Sequence, residues 1–162
     1  MTDSAPSGSQ PARALAPATA KVQGASAFVS ALGIEVLELD RDHALLRLPD
    51  RAQARNHMGG PHAGAIFSLG ETAAATLLVE NFEHWLVTMV PLVVSAEISW
   101  SKLARSAVTA EARMLRPAEQ IEAELTAGTR PQWANRVMFR REQDAGPCAE
   151  MSVVLTLVQR RD

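Results

Sequence analysis

The sequence contains a single cysteine, Cys148, among 162 residues. One thiol excludes an intrachain disulfide framework and any cysteine-built zinc cluster within one chain, and it suits a reducing compartment, so a cytoplasmic setting is expected. Neither sign of charge is in excess: 16 Lys and Arg against 18 Asp and Glu leave a formal net charge of -2. Bulk electrostatics therefore point to neither nucleic acid nor an anionic membrane surface as a partner. No unbroken apolar run reaches the roughly 18 residues of a membrane span, because Glu71 and nearby polar residues interrupt the longest candidate. His43, His57 and His84 are scattered without metal-ligand spacing, and no metal or cofactor is expected. Internal repeats are absent as well.

The first residues, MTDSAPSGSQPARALAPATA, are rich in Ala, Pro and Ser and lack a basic segment followed by an apolar run. They read as a disordered leader over 1–19 and not as a signal peptide, with one domain over 20–162. A chain of this length can bury a sizeable core unaided.

Within the domain, Val22, Ala25, Phe28, Val29 and Leu32 recur at helical spacing before Gly33, which predicts a short helix from about Ala20 to Leu32. Gly33–Leu39 and His43–Leu48 flank Asp40-Arg41-Asp42 as a hairpin. A polar, glycine-rich turn, Asn56-His57-Met58-Gly59-Gly60-Pro61-His62, then feeds a long helix that is apolar nearly all round and should be buried. After a connection containing Trp85 and Pro91, Val94, Ala96, Ile98 and Trp100 alternate with polar residues, as do Val108, Ala110, Ala112 and Met114. These predict half-buried antiparallel strands. A short helix over Pro117–Ala127 and a closing hairpin of Trp133–Glu142 and Cys148–Gln159 complete the chain. The expected fold is α+β, a mostly antiparallel sheet of five to six strands with the central helix across one face.

Glu71 is the only charged residue between Ala63 and Val79. A carboxylate in apolar surroundings is costly, and burial raises its pKa toward the range of a general base or nucleophile near neutrality. The same pattern also suits a Glu that faces a solvent-filled seam or pairs with an arginine from the late strands. Pro61 suits the first helical turn, which would leave the N–H groups of His62, Ala63 and Gly64 free to hold an anion or a developing oxyanion. Glu71 lies nine residues beyond His62, roughly 13 Å along the helix. Both can act on one carbonyl only if a second copy of the chain supplies one of them.

Asn56, His62-Ala63-Gly64 and Phe67-Ser68-Leu69-Gly70-Glu71-Thr72-Ala73 resemble the signature of hotdog-fold acyl-CoA thioesterases of the phenylacetate-pathway and 4-hydroxybenzoyl-CoA type. The similarity runs from about Leu32 to Gln159 but is specific only over Asn56–Ala73. It implies a hotdog fold, an acyl-CoA substrate, and a homodimer, often paired again into a tetramer, with sites at the dimer interface. Carried over by position, Glu71 is the nucleophile or the base that activates water, the Ala63 N–H donates to the thioester oxygen, and Asn56 positions the thioester or water. His62, Gly60, Gly64, Phe67 and Thr72 would line the substrate site, with Gly64 leaving room for the acyl chain and His62 also suited to bonding local backbone. The chain departs from the pattern at Ala63, which replaces a glycine, and at Ala75, where some relatives carry a hydroxyl. Two further readings stand beside hydrolysis. One is a non-catalytic acyl-binding dimer. The other is a hydratase of the same fold, which ranks last because no Asp lies between Asp50 and Glu71.

Overall fold

The computed structural model describes residues 14–160. Most of the leader expected over 1–19 lies outside that range, but helix α1 (Ala16–Ala25) takes in Ala16–Thr19. Hydrogen bonds to the sheet hold it: Leu15 N–H donates to Val36 O (2.7 Å), and Val36 N–H donates to Thr19 Oγ1 (2.9 Å). The single helix expected here is in fact two. Ser26 is extended at φ -152°, ends α1, and caps α2 (Ala27–Leu32) by accepting from the Val29 N–H, the role for which a serine side chain is favoured. Gly33 closes α2 in the left-handed region at φ 67°.

Six strands follow the helices in one sheet: β1 (Glu35–Leu39), β2 (His43–Leu48), β3 (Met89–Trp100), β4 (Val108–Met114), β5 (Gln132–Arg141) and β6 (Pro147–Gln159). Their spatial order is β1-β2-β4-β5-β6-β3, with every neighbouring pair antiparallel. The expected hairpins β1–β2 and β5–β6 are both present. β3 is longer than expected, because it starts at Met89 and runs through Pro91. It is an edge strand, the place in a sheet where a residue without an N–H is tolerated. A register shift between Val93 and Ser95 displaces the simple alternation there. Val94 and Trp100, expected on a buried face, are 45% and 47% exposed.

Helix α3 (Ala63–Phe82) crosses the sheet, chiefly over β2 and β4. Leu69, Ala73, Ala74 and Leu77 are fully buried, as are Leu46, Ala110, Ala112 and Val137 on the sheet. Small residues on α3 allow the close approach: a Cβ at Gly70 would lie 2.5 Å from Phe139 Cζ and 2.7 Å from Met151 Sδ. Trp133 is core, stacked edge-on against Phe82 at 5.3 Å between ring centroids. With the 3₁₀ turn that follows, the segment Ala63–Val87 has the length and mean hydropathy of a membrane span, but its apolar side is the packed core of the sheet. A short helix, α4 (Ala118–Thr126), lies between β4 and β5, close to its expected bounds.

Candidate active site

The turn before α3 is built around Asn56. Its Oδ1 accepts from the N–H groups of Met58 (2.9 Å) and Gly60 (3.3 Å), and its Nδ2 donates to Pro61 O (3.2 Å). The main chain closes the same loop, with Asn56 N–H donating to Gly60 O at 2.7 Å. Asn side chains commonly mimic backbone in such turns, and here the amide retains one uncommitted N–H. Gly59 takes φ 80°, open to glycine without strain.

Gly60 is required for a different reason. A Cβ there would sit 2.0 Å from the carbonyl oxygen of Ala104 and 3.3 Å from Arg105 Cα, so the turn and the β3–β4 connection touch backbone to backbone. Since neither side of that contact is a flexible side chain, Gly60→Ala should cost about 1–3 kcal/mol of stability. A lowered midpoint of urea unfolding with unchanged slope is the expected reading.

Helix α3 starts at Ala63, two residues later than a helix with Pro61 at its first position would. His62 is the cap, at φ -63° and ψ 142°, and Pro61 precedes the helix, bridged to Arg55. Two of the three N–H groups expected to be free are therefore engaged: His62 N–H donates to Ala54 O (2.7 Å) and Gly64 N–H donates to His62 Nδ1 (3.0 Å). Accepting at Nδ1 places the ring proton of His62 on Nε2. Only the Ala63 N–H is without a partner among the described residues, and Ala63 is exposed. Gly64 leaves space for its own cap, because a Cβ would come 3.2 Å from His62 Nδ1.

Glu71 lies two turns further along α3, eight residues from Ala63 and so about 12 Å away. It is half-buried, makes no hydrogen bond or ion pair among the described residues, and burial alone pushes its carboxyl above the usual range. Phe67, one turn before it, is at the surface. Glu71 and Thr72 face a cavity of about 870 Å³ between α3 and the helices α1 and α2. Thr72 is 6% exposed and its hydroxyl lacks a partner among the described residues. The structure thus gathers Asn56, Gly60, His62, Ala63 and Gly64 in one turn and sets Glu71 and Thr72 apart from them.

Sequence reasoning missed the wall supplied by α1, including Val22 and the Lys21–Glu83 ion pair (2.6 Å) that ties α1 to the end of α3. Among the arginines in the second half of the chain, whose guanidinium groups suit phosphate, Arg113, Arg116, Arg136 and Arg141 are paired with carboxylates. Arg105, Arg130 and Arg140 have no ion pair among the described residues; Arg140 donates instead to Ala145 O. No cluster of His, Cys, Asp or Glu suited to a metal occurs among those residues.

A family described as a domain of unknown function, DUF4442, matches residues 18–156. The chain belongs to that family. The chain shares its fold with several solved structures. One is a Pseudomonas aeruginosa protein of unknown function, described as a "Probable Thioesterase": 24% identity, 90% of this chain and 95% of that chain covered, TM-score 0.77. Another is a thioesterase from Haemophilus influenzae, at 20% identity, 86% and 87% coverage and TM-score 0.69. A third is a thioesterase family protein from Silicibacter pomeroyi, at 14% identity, 90% and 98% coverage and TM-score 0.70. The architecture of this DUF4442 chain is the hotdog fold, a long helix wrapped by an antiparallel sheet. No curated protein matches the sequence.

Proposed function

We propose that the protein hydrolyses an acyl-CoA thioester, with each site formed between two copies of the chain. The observation that carries this reading is the Ala63 N–H, the one donor of the α3 terminus left without a partner among the described residues. Fixed donors at a helix N-terminus suit a charge that develops during reaction. The thioester oxygen would accept from that N–H, while Glu71 of the other copy takes a proton from water. The water oxygen attacks the carbonyl carbon, the C–S bond breaks, and the proton passes to the departing thiolate. Its raised pKa makes Glu71 a stronger base than an exposed carboxylate. The names carried by the structural neighbours point the same way.

The 12 Å between Ala63 and Glu71 is what requires the second copy. β3 supplies a surface for it: a 12-residue edge strand with Leu92, Val93, Val94 and Trp100 all exposed, the kind of edge that pairs with another chain. Asn56 shapes the turn and leaves one N–H toward substrate. Arg105, whose backbone rests against Gly60, stands nearest this turn among the unpaired arginines and is the candidate contact for the phosphates of coenzyme A. The single, buried thiol of Cys148 fits a cytoplasmic setting.

Free-thiol release over a panel of acyl-CoA substrates tests the reading. Equimolar free thiol and free acid are expected from at least one member of the panel. Saturable acyl-CoA binding with no thiol released by any member would replace hydrolysis by the non-catalytic acyl-binding dimer.

A further inference from the structure

The cavity beside Glu71 is a long groove. From Glu71, the α3 wall continues through Ala75, Thr76 and Val79 to Glu80, about 14 Å of helix. The opposite wall is α1 and α2, contributing Ala18, Val22 and Val29. Three carboxylates, Glu71, Glu80 and Glu83, line this groove, and Lys21, the only cation lining it among the described residues, is already paired with Glu83. Such a surface repels phosphates and accepts hydrocarbon, so the coenzyme portion of a substrate cannot lie here. At one end stands Glu71, half-buried and without a hydrogen-bond partner among the described residues, the group that would meet the carbonyl end of a ligand.

We infer that this groove is the acyl subsite and that it takes an extended aliphatic chain of medium to long length, laid along α3 with its carbonyl at Glu71. This inference rests on the thioesterase reading. A compact aromatic acyl group would fill only a small part of a groove of about 870 Å³. α1 makes the specificity, since removing it would open the whole groove to water.

The test compares dodecanoyl-CoA, butanoyl-CoA and benzoyl-CoA as substrates of the wild type and of Val22→Trp, whose larger side chain fills the groove from the α1 side. The wild type should prefer dodecanoyl-CoA over both others in kcat/KM. Val22→Trp should lower the dodecanoyl to butanoyl ratio of kcat/KM by about tenfold or more, because fewer methylenes can be buried. An unchanged ratio, or a wild type that prefers benzoyl-CoA, overturns the inference. If Val22→Trp does not fold, Ala18→Leu probes the same wall with a smaller change and the same readings. Dodecanoate binding, followed by displacement of a fluorescent fatty acid, separates the two claims. A wild type that releases no thiol refutes hydrolysis; dodecanoate affinity lost in the groove variant then upholds the subsite, and affinity unchanged overturns it.

Discussion

Ala63→Pro should lower turnover of an acyl-CoA by about 10²–10³-fold while moving the melting temperature by no more than about 2 °C. The substitution deletes a single N–H and little else. Proline is favoured at the first position of a helix, where its fixed φ fits and its missing donor has no intrahelical partner. The residue before it must be extended, and His62 already is, at φ -63° and ψ 142°. No hydrogen bond among the described residues uses the Ala63 N–H, so the folded chain gives up nothing on losing it. Stopped-flow or steady-state thiol release, paired with thermal unfolding, checks both halves. Full activity in a stable Ala63→Pro protein would remove Ala63 from the site.

Glu71→Gln should lose about 10²–10⁴-fold in turnover, the usual contribution of a positioned general base, and should at the same time be more stable than the wild type at neutral pH. Burial raises the folded pKa of Glu71 above its unfolded value. The stabilising contribution of the protonated form is complete below the unfolded carboxylate range and is lost as pH rises through the folded pKa. Glutamine keeps the shape without the charge, so its advantage in melting temperature should be present at pH 7 and vanish below about pH 4. The wild-type kcat/KM should rise with pH along a limb whose midpoint lies above the ordinary carboxylate range. Mixing the two inactive variants adds a geometric test. If one chain gives Ala63 and the other Glu71, equal amounts of Ala63→Pro and Glu71→Gln recover about a quarter of the wild-type rate, as half the dimers are mixed and each holds one intact site. A site contained within one chain would recover none.

Much of this arrangement was legible from residue order. The apolar circumference of α3 with Glu71 alone in it, and the alternation of β2, β4, β5 and β6, follow from periods that burial imposes directly. What escaped depends on contacts distant in sequence. Nothing local in α1 shows that Thr19 will bond Val36 or that Lys21 will reach Glu83. Pro61 suggested a helix start that the carbonyl of Ala54 overrules by holding His62 in an extended conformation. Pro91 suggested a connection, whereas an edge position lets the strand pass through it. The number of free N–H groups was overestimated for the same reason, since capping by His62 depends on a side-chain rotamer that spacing does not reveal.

The irregular β3 edge also bears on the proposed pairing of two copies. A straight apolar ribbon of that length would template the addition of any extended segment and seed fibres. Pro91 deletes one rung of the ladder, and the offset between Val93 and Ser95 bends the next. Foreign strands meet a broken ruler there. If two copies pair along β3 as proposed, a second β3 turned about a two-fold axis would carry the matching break, and the irregularity that weakens the edge as a general adhesive would favour a copy of the same chain over a foreign strand.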